Sequence, residues 1–314
     1  MSDHSSKSER FGRPSRLARL QQVLVLGSLL FATAWFLFWW PRSAWLAVVG
    51  AALCLLGYAL VLGLEGLAAA RLNKTDEAPQ AGWSGVAGAW WQEVRVAPQV
   101  FAWRQPFRWA SLPDDIDPCD GAAPAVVFVH GFVCNRGLWL PWMARMRREG
   151  LPYVSVNLEP VFGDIDAYIP LMSDAVHRAH QLTGRPPVLI CHSMGGLVAR
   201  AWMAAEPDMP VHRVVTIGSP HRGTWLGRFS RVANGRQMRQ GVVTRRAVER
   251  GAREGLEVGR VVLEVGVLHH DHVAGGRLDR GADRGDVLVA DRPTEVHTTH
   301  LHAERIGERR QFHG

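Results

Sequence analysis

Apolar positions fall along this chain in three patterns. In the first, residues 21–40 carry no charge, and residues 44–64 are again uncharged and mostly Ala, Leu, Val and Gly. A helix needs about 20 such residues to cross a hydrocarbon core. The two runs therefore predict a transmembrane hairpin turned at Pro41-Arg42-Ser43, with Trp39 and Trp40 where an aromatic belt forms. A cleavable signal peptide fits less well, because its apolar region is shorter and no second run follows it directly. A buried hairpin of a soluble protein is the remaining alternative.

The second pattern begins at residue 125. A short, wholly apolar run at 125–129 reads as a buried parallel strand, and 153–157, 187–191 and 211–217 read as further strands. Amphipathic stretches at 137–149, 164–183 and 194–205 separate them and read as helices, the first with Trp139, Trp142, Met143 and Met146 inward. Strand and helix in alternation predict an α/β fold with right-handed crossovers. Between the two patterns, 75–82 is a polar linker and 83–109 is aromatic and basic. Trp90, Val94, Ala97 and Phe101 recur at helical spacing, with Pro98 expected to kink or end the helix. That helix either lies in a bilayer interface or packs on the following domain. Residues 105–112 read as a first strand and 113–124 as an acidic, Pro-rich surface loop.

The third pattern is the tail, 241–314. It contains no Trp, Tyr, Met, Cys, Lys, Ser or Asn, yet holds seven of the 14 His. Charges recur every few residues, and apolar runs such as 261–263 are short. The shift is abrupt near 239–241. The resulting division is a basic N-terminus (1–20), two membrane helices (21–64), a linker with an amphipathic aromatic segment (65–104), an α/β domain (105–240) and an atypical tail (241–314), for which disorder is one reading.

Composition and charge change this picture little. Hydrophobic residues make up 47% of the 314, enough for one core beside an anchor. The formal charge of +7 comes from Arg scattered along the chain, without a nucleic-acid-binding motif. Lys7, Arg10, Arg13, Arg16 and Arg19 precede the first apolar run and suit an anionic membrane surface. With Arg42 in the turn and Arg71 and Lys74 after the second run, the positive-inside rule puts both ends of the hairpin in the cytoplasm. Cys54, Cys119, Cys134 and Cys191 show no spacing for zinc or a disulfide framework. No metal site is assigned. His269-His270-Asp271-His272 is the one cluster that suggests a metal.

Candidate chemistry centres on residues 187–200. Pro-Val-Leu-Ile runs into Cys191-His192-Ser193-Met194-Gly195-Gly196, and a helix-compatible run follows. This is a strand, a sharp turn and a helix with Ser at the tip, written G-x-S-x-G with Cys191 in place of the first Gly. Small residues two positions either side of the Ser let strand and helix backbones approach. Upstream, the apolar run 125–129 ends in His130-Gly131-Phe132-Val133-Cys134-Asn135. Such a loop supplies one oxyanion-hole amide and the residue after the nucleophile the other, here Phe132 and Met194. His192 shapes the elbow. His177, His180 and His212 read as surface or core residues, and Asp164 and Asp166 as the flank of a helix start.

With these motifs in place the chain resembles the α/β-hydrolase lipases and esterases of bacteria, of the triacylglycerol-lipase kind, over about residues 105–240. Thr216-Ile217-Gly218-Ser219-Pro220-His221-Arg222-Gly223-Thr224 is similar to their T-P-H-x-G segment. The resemblance implies an α/β-hydrolase fold, a Ser–His–Asp triad with Ser193 as nucleophile, no cofactor, and hydrolysis of acyl esters or lipids. His221 is then a substrate- or lid-facing residue rather than the base.

The acid and base of a triad follow the Ser in this fold, and they are not identifiable here. His297, His300 and His302 lie in the tail without a family-like loop around them. A change of reading frame near codon 240 would account for the tail's composition and for a missing C-terminal part of the sheet. The expectation is thus a multi-pass protein of a bacterial inner membrane with a cytoplasmic serine ester hydrolase domain. The alternatives are an acyltransferase or thioesterase with the same nucleophile, or a truncated, non-catalytic hydrolase.

Overall fold

The computed structural model describes residues 15–72, 82–114, 123–239 and 262–265. The chain divides into two compact units, 1–55 with 95–271, and 56–94 with 272–314.

In the first unit, helix α1 (Arg16–Trp39) starts at Ser15, whose Oγ accepts the Ala18 amide at 3.1 Å. This cap satisfies one of the free amides of the first turn. It also explains why the helix begins before the uncharged run. The Ser43 amide closes the turn onto Trp39 O at 2.7 Å, and α2 (Ala44–Leu72) follows. Trp35 Nε1 donates to Leu46 O at 2.9 Å. Both helices are long and apolar enough to cross a membrane by length and composition.

In the second unit, Trp90 Nε1 donates to Ala59 O and Tyr58 OH to Val94 O, each at 2.8 Å. These bonds hold α3 (Trp83–Ala97), none of whose residues is buried, against α2. The α-helix ends at Ala97, directly before Pro98, as expected. A π-helical stretch, Pro98–Arg104, follows it. Residues 105–112, expected as a strand, contain the helical turn Gln105–Phe107 instead. Pro106 sits near the start of that turn, where its missing amide costs nothing, and Gln105 is fully buried.

The sheet comprises β1 (Val126–Val129), β2 (Tyr153–Ser155), β3 (Val188–His192), β4 (Arg213–Ile217) and β5 (Val262–Val265). All pairings are parallel, in the order β2-β1-β3-β4-β5. The tail thus contributes a strand where its apolar run read as short. Alternation along each strand sends side chains to opposite faces. Val127, Val129, Leu189, Cys191 and Val214 face one core, covered by α5 (Ile169–Thr183) and α6 (Met194–Ala205). Phe128, Tyr153 and Ile217 face the other, with Trp139 and Met143 at the start of α4 (Leu140–Arg148) and Val100 from the π-helical stretch. One turn of tighter helix precedes α4 (Arg136–Trp139) and another precedes α5 (Ile165–Tyr168). Asp164 Oδ1 caps the latter by accepting the Asp166 amide at 3.0 Å.

A buried charge cluster ties these layers together. Asp114 accepts from Arg136 at 2.7 Å, from Arg178 at 3.0 Å and from the Ser155 amide at 3.1 Å. It thereby joins β2, α5 and the segment before α4.

The order β2-β1-β3 fixes where a site can form. The chain leaves β1 to one side and returns to β3 on the other, so the connections diverge at the carboxyl ends of β1 and β3. A sheet of this kind opens a crevice at such a switch point.

Candidate active site

Ser193 stands at that switch point. β3 ends at His192 and α6 begins at Met194, leaving one residue to reverse the chain. Ser193 takes φ 51° and ψ −122°, a left-handed conformation that costs a non-glycine residue on the order of 1–3 kcal/mol. The surroundings hold it there. Its amide donates to Ile217 O on β4 at 2.8 Å, and its carbonyl accepts the Gly196 amide at 3.1 Å. The residue is half-buried, so the turn remains open to solvent.

The small residues around it are set by close approach. A Cβ on Gly195 would lie 2.7 Å from Val129 O and 2.8 Å from His130 O. One on Gly196 would lie 2.8 Å from Ser219 Cβ, and one on Gly131 would lie 2.8 Å from Ser193 Cβ. The loop after β1 therefore rests directly on the Ser193 turn. Cys191, in place of the first Gly of the motif, is fully buried in the core beneath α6. Burial pushes its thiol far above the usual range, so it packs as a small apolar residue.

His130 pins the same loop. Its Nδ1–H donates to Gly131 O at 2.9 Å, and its Nε2 accepts the Leu158 amide at 2.9 Å. This joins the loop after β1 to the loop after β2. Burial lowers its pKa to about 4, so the ring is neutral with the proton on Nδ1. Nothing local in the sequence signals that pin, since His130 there is only part of a His-Gly turn.

Phe132 follows Gly131 directly and its ring packs on Phe162, with centroids 6.0 Å apart. Met194, buried, is the first residue of α6. Both candidate oxyanion residues thus adjoin the turn that carries Ser193, and His192 lies beside Gly131. His221 is placed differently. Its Nδ1 accepts from the Arg200 guanidinium at 3.3 Å, and its Nε2–H donates to Thr216 Oγ1 at 3.2 Å. Burial and the Arg200 charge lower its pKa to about 4. Both ring nitrogens are engaged, and the residue braces α6 against β4. His212 lies just before β4, exposed at the far edge of the sheet. His269–His272, His297, His300 and His302 lie outside the described residues.

A parallel sheet with a strained Ser between strand and helix at its switch point defines a hydrolase-type α/β domain. The chain belongs to the alpha/beta hydrolase family, whose sequence profile matches residues 126–304. No curated protein sequence matches it. Solved structures similar in fold include the mature form of the Bacillus licheniformis lipase BlEst2, 18% identical, covering 48% of this chain and 68% of that one, with a TM-score of 0.43. The monoacylglycerol lipase of Paleococcus ferrophilus is 16% identical, with coverage of 48% and 74% and a TM-score of 0.34. A lipase-esterase related protein of Clostridium acetobutylicum ATCC 824 is 21% identical, with coverage of 35% and 47% and a TM-score of 0.27.

Proposed function

We propose that this chain is a membrane-anchored serine hydrolase of acyl esters, with Ser193 as nucleophile. The observation that carries the reading is the strained Ser193 turn, pressed against Gly131 at the carboxyl ends of β1 and β3. Ser193 Oγ attacks the ester carbonyl carbon and gives up its proton to a base. The carbonyl electron pair moves onto oxygen, where the Phe132 and Met194 amides hold it, each donor supplying about 3 kcal/mol. Collapse returns the electron pair to the carbonyl and breaks the bond to the alcohol oxygen, which takes the proton back from the base; the acyl-enzyme left behind is then hydrolysed by water.

The base and its acid partner are unassigned, with His297, His300 and His302 as candidates for the base alone. A fluorophosphonate probe tests the reading. We expect it to label the full chain and to fail on Ser193→Ala. A folded wild-type chain that stays unlabelled would sink the enzymatic reading.

The anchor reading draws on α1 itself. Glu159 Oε1 accepts the Arg16 amide at 2.8 Å, so the start of α1 sits on the α/β domain. A hairpin returning to its starting side keeps that domain on the side of the N-terminus. The positive-inside rule makes that side the cytoplasm. A periplasmic reporter active after Lys74 would overturn this topology.

One observation favours a second reading. The abrupt change of composition at 239–241 fits a tail read in another frame, which would leave Ser193 without its base. The match of the family to residue 304 weighs against it. Sequencing the gene across codon 240 decides. A second frame without a strand–Asp–strand–His pattern removes the idea.

A further inference from the structure

We propose that the turn Trp225–Phe229, together with Phe162, is a surface that enters the headgroup layer of an anionic bilayer, with α1 holding the domain against it. This rests on the membrane-anchored reading above. It adds that the mouth of the Ser193 site is fixed at the lipid surface rather than tethered near it.

α1 is built into the domain at its first turns. Asn135 Nδ2 donates to Ser15 Oγ at 3.1 Å, and Glu159 accepts the Arg16 amide at 2.8 Å. Gln21 Nε2 donates to Gln105 Oε1 at 3.0 Å and Gln22 Nε2 to Pro106 O at 2.7 Å. Leu17 and Ala18 are buried, whereas Val23 is 69% exposed and Leu30 73%. Arg16 to Val23 is about 10 Å of helix. The bare apolar surface of α1 therefore begins within about two turns of the clasp. Asn135 and Glu159 follow β1 and β2, at the sheet edge that carries Ser193.

The same edge carries the apolar turn. Phe162 follows Glu159 closely and packs on Phe132. Asn234 Nδ2 donates to Val161 O at 2.9 Å and Gln237 Nε2 to Asp164 Oδ1 at 2.7 Å, while the Thr224 amide donates to Met238 O at 2.7 Å. These bonds stitch Trp225–Phe229 to the loop that clasps α1. Leu226 and Phe229 are 65% and 66% exposed, and Trp225 is also exposed. Arg222, Arg228, Arg231 and Arg236 are exposed around them, and residues 219–239 contain no Asp or Glu. The Arg228 guanidinium lies over the Trp225 ring, 5.3 Å from its centroid. Large apolar side chains set among uncompensated arginines suit an anionic lipid interface. The adjoining membrane helix selects lipid over a soluble partner.

A photo-crosslinker tests this in the full chain. p-Benzoylphenylalanine is placed at Phe229, and separately at Leu30, in nanodiscs of phosphatidylglycerol and phosphatidylcholine. We expect lipid adducts at both positions. Adducts at position 30 but none at 229, or adducts from 229 to a peptide within residues 240–314, would overturn the proposal and leave the anchor standing. No lipid adduct at position 30 would remove the anchor reading and the proposal with it. A second measurement does not depend on the probe. Trp225→Ala with Phe229→Ala should raise the apparent KM for an ester in anionic vesicles about tenfold and leave that for a water-soluble short-chain ester unchanged. Equal effects on both substrates would count against the proposal.

Discussion

Glycine plays opposite parts at Gly57 and Gly66 of α2 and in the Ser193 site. Along α2, Gly57 and Gly66 face open space, with no atom within 4 Å of an added Cβ. At the site a Cβ has no room, on Gly195 because of the Val129 and His130 carbonyls and on Gly131 because of Ser193 Cβ. At positions 57 and 66 glycine is one small residue among several that an apolar run tolerates, whereas Gly50 on the same helix packs against the Trp35 ring. At the site glycine is the condition for two loops and a helix to meet. Richness in small residues is therefore a poor guide by itself, and the distance to the nearest foreign backbone separates the two cases.

Substitutions should break that contrast in a definite order. Gly195→Ala comes first, because its Cβ meets two carbonyl oxygens of β1 and its following loop. We expect a loss of about 3 kcal/mol or more, read by chemical denaturation in detergent, together with loss of fluorophosphonate labelling. His130 comes next, as the pin that keeps Gly131 in place. Its folded pKa of about 4 lies below the ordinary 6.5. Between those values the unfolded chain takes up a proton that the folded chain refuses. Stability present above pH 6.5 is therefore lost as pH falls towards 4, by about 3 kcal/mol in all. His130→Gln should flatten that part of the pH–stability curve. A wild-type curve of the same slope as the variant's would show that the ring is not held neutral.

Gly131→Ala comes third, at about 2 kcal/mol. Its Cβ would meet Ser193 Cβ at 2.8 Å and His192 O at 3.1 Å, so labelling of Ser193 should fall more than stability does. Gly57→Ala is smallest and opposite in sign, leaving stability equal or higher by less than about 1 kcal/mol. A large loss at Gly57, or none at Gly195, would remove the distinction.

The parts of the fold legible in the chain are those whose determinants are consecutive. Residues 187–205 place strand, Ser and helix in one run, and α6 spans the residues expected for it. The alternation of strands and helices from 125 to 217 likewise carries the α/β architecture. The errors fall where a partner distant in sequence decides. Residues 105–112 have the pattern of a strand, but burial of Gln105 and Pro106 beside α1 makes them helical.

Order along the chain was sufficient to mark the two apolar helices, the strand–Ser–helix turn and the composition break near residue 240, because each depends on neighbours in sequence. Which loops meet at Ser193 was settled only by folding. So were the tautomer of His130 and the seating of α1 on the α/β domain. The bonds responsible join residues 28 positions apart between His130 and Leu158, and 143 apart between Arg16 and Glu159. No local pattern specifies contacts of that span. They exist because the parallel sheet brings the carboxyl ends of β1, β2 and β3 to one edge, where the Ser193 turn is assembled.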